Sequence, residues 1–295
     1  MSDFLHLGPA PRPTTGADLV GRIRAATLEH VLEHALEHGP ASQRTAVEQL
    51  LGRLSADVDG ADVTVDVDGT GVEVDGVADW VPIDDLLPTR AGDVRVVEAG
   101  LLRALTVRAH PLRVEGVPVD LGLELHDMRL QWVDVVADDA VGLALVDPDD
   151  AHPLRGHLRI EAPLAETVAA VQRAAETAMA ELGVTVADLD VRLRSDGPRT
   201  IHAEVDARVK KGFLGAPASA SATLRVDDAL RVHVEDLRIT SSNVLVAGLL
   251  VAVRGKVEAA TKEPFDLAAH LPAGVRVTDV QVTAGERIGL EARIG

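Results

Sequence analysis

The chain has 295 residues, 46% of them apolar, a formal net charge of −18 and no cysteine. Such a length and apolar content support a substantial core in one large or two ordinary domains. The acidic balance argues against a nucleic-acid backbone or a broadly anionic lipid surface as partner, and the missing cysteines remove disulfides, thiol nucleophiles and thiolate metal sites. Only 2% of residues are aromatic, with no Tyr, so Val, Leu and Ala must fill the interior and base-stacking platforms are not expected.

In chain order, MSDFLHLGPAPRP carries an early Asp and several Pro where a signal peptide needs a basic start and an apolar stretch. Residues 1–16 read as a flexible lead and the setting as cytoplasmic. Thr15 with Asp18 starts a helix near Ala17, whose stripe includes Leu19, Val20, Ile23, Leu28, Leu32 and Leu36. Gly39-Pro40 interrupts it, and Val47, Leu50, Leu51 and Leu54 continue it as a second helix or beyond a kink. Val63, Val65 and Val67 precede Asp68-Gly69, with Val72 and Val74 following, which predicts a hairpin turning at the Asp-Gly pair.

Residues 80–92 form a connection, followed by strands near 94–97, 105–114 and 117–133 and a loop over 134–153. A strand over 158–160 leads to a helix punctuated by Pro163 and Gly183. A hairpin over 184–209 and a strand over 230–239 come next. Ser242 or Asn243 caps a last helix, whose run Val244–Val253 is about half of the ~20 residues needed to span a membrane. The ending LPAGVRVTDVQVTAGERIGLEARIG alternates on both sides of Ala284-Gly285, the pattern of a half-buried hairpin.

Part of this pattern recurs. Gly183, Val184, Val186, Asp188 and Val191 match Gly274, Val275, Val277, Asp279 and Val282, residues 97–104 align with 209–216, and HDMRL at 126–130 aligns with EDLRI at 235–239. The expectation is a duplicated unit of helix, hairpin, two long strands and helix, an α+β arrangement with repeats over 17–153 and 154–295 packed as one elongated body.

The apolar ending and GVPVDLGLELHDMRL at 116–130 resemble the actinobacterial LmeA-type phospholipid-binding family, which is similar to the wider TULIP, or tubular lipid-binding, superfamily. The resemblance implies a TULIP-like fold in which long helices line the concave face of a strongly curved antiparallel sheet around an apolar tunnel. It also implies non-enzymatic binding or transfer of phospholipid or acyl chains. Lining candidates are Val168, Val171 and Met179 on the middle helix and Val244, Leu245, Leu249, Leu250 and Val253 on the last. The same side chains would equally fill the solid core of a cytoplasmic scaffold or interaction protein without ligand.

Lys210, Lys211, Phe213 and Leu214 put positive charge beside apolar side chains, as would suit transient membrane contact; Leu101 and Leu102 are a weaker counterpart. A turn with Phe213 and Leu214 folded inward is the other reading of that stretch. His30, His34 and His38 share a helix face, but no fourth ligand accompanies them, and a solvated face opposite the leucines is the simpler reading. No metal or cofactor is expected. Asp66, Asp68 and Gly69 begin like a calcium loop but lack its twelfth-position Glu, and no G-x-S-x-G turn occurs. No enzymatic chemistry is expected; lipid, a passing membrane contact and self-association are the expected partners.

Overall fold

A computed structural model describes residues 2–38, 41–76, 89–136, 139–180, 185–211, 214–228, 230–241, 265–266 and 275–295. Among them three helices stand beside sixteen strands. The protein is mostly β, with one mixed and one antiparallel sheet, which overturns the expected α+β fold with long helices lining a concave, TULIP-like sheet. The physical reason lies in the composition: the runs between the helices are Val-rich and alternate with period two over stretches far longer than ordinary strands.

The chain forms two compact units. Unit 1 comprises Met1–Ile160, Ala273–Thr278 and Arg293–Gly295; unit 2 comprises Glu161–Pro272 and Asp279–Ala292. The division after Ile160 lies close to the boundary expected at 153/154, but the C-terminal residues are shared between the units.

Unit 1 begins with β1 (Ser2–Pro9), not a flexible lead. It pairs antiparallel with β5 (Thr89–Gly92) and β8 (Ala140–Leu145), the second of which replaces part of the expected loop. Phe4 and Leu7 are each 2% exposed and anchor the two hydrophobic clusters of the unit. Then come α1 (Gly16–His38) and α2 (Ala41–Gly52), separate helices. Thr15 caps α1 as the sequence predicts, its Oγ1 accepting the Asp18 N–H at 3.2 Å. Arg24 of α1 donates to the carbonyls of Leu51 and Gly52 at 2.6 and 3.0 Å, satisfying the C-terminal end of α2.

The hairpin expected at Asp68-Gly69 is not the one that forms. β2 (Leu54–Asp59) and β3 (Asp62–Asp68) turn at Gly60-Ala61 instead, and β3 and β4 (Glu73–Val74) run parallel to β6 (Val94–Val114). β6 is a continuous strand of 21 residues that forms a long hairpin with β7 (Val117–Val135) through Glu115-Gly116, both at positive φ. The other edge of β7 is shared by β8 and β9 (Arg155–Pro163). Trp132 of β7 is fully buried, its Nε1 donating to the Ala61 carbonyl at 2.9 Å. Arg12 lies 5.3 Å from the centre of that ring, donates to the Gly60 carbonyl at 2.9 Å and pairs with Glu98 at 2.7 Å, tying the segment after β1 to the β2–β3 turn. Gly100 is required beside the same turn, because a Cβ there would collide with the Ala61 carbonyl.

Unit 2 contains α3 (Leu164–Ala180) and an antiparallel sheet ordered β10 (Thr185–Ser195), β11 (Thr200–Lys211), β12 (Leu214–Val226), β13 (Arg231–Ser241) and β14 (Phe265–Asp266). Unit 1 has two parallel strand pairs, β3 and β4 with β6, whereas among the described residues the unit 2 sheet is antiparallel throughout. What does recur is local. Asp127, Asp188 and Asp236 all adopt positive φ, at 57°, 53° and 53°, and the latter two sit at register shifts of the sheet. Each places two residues opposite one, Ala207 facing Asp188-Leu189 and Ala222 facing Asp236-Leu237. Asp279, aligned with Asp188 in the sequence, does not share this conformation. The chain closes with the expected hairpin, β15 (Val277–Ala284) and β16 (Arg287–Ile294), which turns at Gly285-Glu286, one residue beyond the Ala284-Gly285 break read from the alternation.

Candidate functional site

The register of the unit 2 sheet sorts its side chains sharply onto two faces, since alternate residues point to opposite sides. Thr200, His202, Glu204 and Asp206 of β11 stand opposite Arg225, Thr223, Ser221 and Ser219 of β12, giving one wholly polar face. Its groups satisfy one another. His202 lies 3.1 Å from Asp196 through Nε2 and 2.9 Å from the buried Thr223 hydroxyl through Nδ1, and His233 lies 2.8 Å from Asp227. Ser219 donates to Asp206 at 2.7 Å, and Arg225 binds Glu235 through two nitrogens at 3.0 and 2.7 Å. That guanidinium holds the Glu235 carboxyl below its ordinary pKa. The carboxylate–imidazole–hydroxyl chain lies on a sheet surface with its members mutually engaged, and among the described residues no group of three or more His, Asp or Glu is arranged to hold a metal ion.

The other face carries Ile201, Ala203, Val205 and Ala207 of β11 against Leu224, Ala222, Ala220 and Ala218 of β12, flanked by Leu193 and Val191 of β10 and by Val234 and Ile239 of β13. Every one of these residues is half-buried; none reaches the full burial of a core position. Alanines at alternate positions keep the face shallow.

At the β10 border of unit 2 this apolar character opens into a groove of about 570 Å³, lined by Leu164, Ala165, Val168, Ala169 and Gln172 of α3, by Leu189, Asp190 and Val191 of β10, and by Glu286. On α3 the lining residues fall at i, i+1, i+4, i+5 and i+8, one helical face of small and branched side chains that ends at Gln172. The helix is anchored at its start: the Leu164 N–H donates to the Glu286 carbonyl at 2.9 Å, and the Thr167 hydroxyl donates to the Pro163 carbonyl at 2.8 Å. On the strand side, the shift at Asp188-Leu189 sets the register in which Val191 joins the apolar face while the Asp190 side chain, opposite Asp206, joins the polar one and pairs with Arg192 at 3.3 Å. The volume falls within the ~300–1,000 Å³ of small-molecule sites, and six of the nine lining residues are apolar.

Of the residues expected to line a cavity, Val168 does so, while Val171 does not line the groove and is 55% exposed. The side chain of Met179, and Val244, Leu245, Leu249, Leu250 and Val253, lie outside the described residues. Lys210 and Lys211 close β11 and Leu214 opens β12, so the backbone places all three at one hairpin end; their side chains, and Phe213, lie outside the described residues. Leu101 and Leu102 are not a second tip: they lie within β6, and Leu102 is a core residue at 8% exposure. His30 is half-buried on α1, and the side chains of His34 and His38 are outside the described residues.

Sequence reading missed the opposing wall, Leu189 and Val191, together with Ala165, Ala169 and Glu286. The alanines of α3 are spaced for such a face, but nothing local says which strand it meets. No protein-family model, curated protein or solved structure matches the chain. Among the described residues, no helix is long and apolar enough to cross a membrane.

Proposed function

We propose that the protein is a non-enzymatic, cytoplasmic lipid-binding protein, whose second unit takes an acyl or alkyl chain along the groove between α3 and β10. The supporting observation is that groove: a space of about 570 Å³ lined by Leu164, Ala165, Val168 and Ala169 of α3 and by Leu189 and Val191 of β10, beside a sheet face of alternating alanines, valines and leucines. Removing a buried methylene from water stabilises a complex by roughly 0.8 kcal/mol, so a chain of a dozen carbons lying in it gains enough to bind from dilute solution. The walls carry neither a nucleophile nor a metal ligand set, which favours binding over chemistry. The ligand agrees with what the LmeA-type resemblance implies, although the helix-lined curved sheet of that resemblance is not the architecture found.

Native mass spectrometry of the purified chain, followed by solvent extraction, tests the reading. Lipid is expected in stoichiometric amount, and Ala169→Trp, which fills the groove from an exposed position, is expected to weaken binding of an environment-sensitive alkyl fluorophore by at least about tenfold. A protein free of lipid that shows no saturable alkyl binding, and instead forms a stable oligomer, would leave the scaffold reading in its place.

A further inference from the structure

The α3 wall of the groove ends on a single polar side chain. Gln172 follows Leu164, Val168 and the alanines on the lining face and is half-buried there. Its amide nitrogen donates to the Glu176 carboxylate at 2.8 Å. An ionised carboxylate only accepts, so this bond fixes which end of the amide carries the nitrogen and leaves the Gln172 carbonyl oxygen turned away from Glu176. Among the described residues no donor reaches that oxygen. Nor does a charge accompany it: among the described residues no Lys, Arg or His lines the groove. Asp190 turns its carboxylate to the polar face of the sheet, where Arg192 pairs with it at 3.3 Å, and Glu286 meets α3 through its backbone carbonyl, which accepts the Leu164 N–H at 2.9 Å. The groove thus offers a ligand an apolar wall and one neutral hydrogen-bond acceptor.

Resting on the reading that the groove holds an alkyl chain, we propose that its ligand carries an uncharged headgroup with a hydrogen to donate, the hydroxyl of a fatty alcohol or acylglycerol, and that Gln172 recognises it through its carbonyl oxygen. Chain burial supplies the attraction common to all lipids; Gln172 supplies the discrimination among them. A carboxylate, phosphate or ammonium headgroup would leave water for a site without a counter-charge, which costs far more than a neutral hydroxyl loses and regains through one hydrogen bond.

The test compares displacement of an uncharged alkyl fluorophore from the full chain by decanol, decyl methyl ether, decanoate and decylamine at neutral pH, each below its solubility or micelle limit. Decanol is expected to bind at least about tenfold tighter than decanoate or decylamine. Because a neutral compound enters any apolar site more readily than an ion, the deciding comparison uses Gln172→Met, which keeps the length and helix propensity of Gln and removes the acceptor. That variant is expected to lower the decanol-to-ether affinity ratio by about fivefold while holding the ether within about twofold of its wild-type affinity. A ratio that Gln172→Met leaves unchanged overturns the proposal, since nothing then reads the hydroxyl. Decanoate or decylamine binding as tightly as decanol, with sensitivity to Ala169→Trp retained, equally overturns it and leaves lipid binding standing. Absence of any saturable probe binding removes the lipid reading itself, and the headgroup with it.

Discussion

Asp62 shows how a single surface carboxylate ties strands together. One oxygen accepts the Leu101 N–H at 2.8 Å and the other the Arg103 guanidinium, at 3.0 Å through Nε and 2.8 Å through Nη2, joining the β2–β3 turn to β6. The backbone N–H first, and Arg103 second, hold the Asp62 carboxyl below its ordinary pKa, and the same guanidinium is raised in turn. Asp68 is lowered by the Thr70 hydroxyl and N–H, and Asp149 by the His152 N–H, so three acidic turns of unit 1 share one dependence. A carboxylate whose folded pKa is depressed contributes stability above its unfolded pKa, near 3.9 for Asp, and that contribution disappears as pH falls through the folded value. Wild-type protein is therefore expected to lose urea resistance as pH drops from about 5 to 3. Asp62→Asn should be less stable than wild type at pH 7 and should show a shallower loss on acidification. Parallel curves for the two proteins would show that Asp62 contributes nothing to acid sensitivity.

The β-bulges carry the argument at the next scale. Asp236 in β13 and Asp188 in β10 each insert one extra residue into an antiparallel pair and adopt the left-handed conformation, which costs most L residues roughly 1–2 kcal/mol and is tolerated best by Gly, Asn and Asp. Asp236→Gly is thus expected to be neutral or slightly stabilising, and Asp236→Val to destabilise by about 2 kcal/mol, as read from urea midpoints at constant slope. Equal effects of Gly and Val would mean that the strand keeps its register without the bulge.

The two aspartates were visible in the sequence, Asp188 in the match to Asp279 and Asp236 in EDLRI, but as a sign of duplication; that they mark bulges depends on a partner strand that sequence alone does not name. The same limit explains the misplaced hairpin. Asp68-Gly69 has turn chemistry, yet the Asp68 side chain uses it to accept the Thr70 N–H at 2.9 Å. Leu54 fits a helical stripe after Leu50 and Leu51, and equally fits the alternation Leu54, Ala56, Val58 that becomes β2. Thr15 was legible because an N-cap is satisfied within its own first turn. Val168 was legible as an apolar face, whereas Leu189 and Val191 were not, since the groove exists only once α3 meets β10.

Across the whole molecule, connectivity sets how the two units depend on one another. The chain passes between them four times, at 160/161, 272/273, 278/279 and 292/293, so β9, β15 and β16 each contain residues of both. The closing hairpin gives unit 2 the buried Val280 and Ala292. Its backbone also engages unit 2, with the Val282 N–H on the Pro198 carbonyl and the Ala284 N–H on the Ser195 hydroxyl, each at 2.7 Å. The ends of the same hairpin belong to unit 1, where Arg276 pairs with Asp150 at 2.8 Å and its carbonyl accepts the Gly295 N–H at 3.0 Å. A strand cannot unravel in its middle and keep both ends ordered without cost, so loss of unit 2 should take unit 1 with it. Val280→Asp places a charge at a position 4% exposed and is expected to destabilise by about 3 kcal/mol or more. In a Trp80→Phe background the fully buried Trp132 becomes the sole tryptophan and reports unit 1 alone. Adding Val280→Asp should move the Trp132 emission transition and the far-UV circular dichroism transition to lower urea together. A Trp132 midpoint that stays in place while the circular dichroism splits into two steps would show instead that the shared strands do not couple the units.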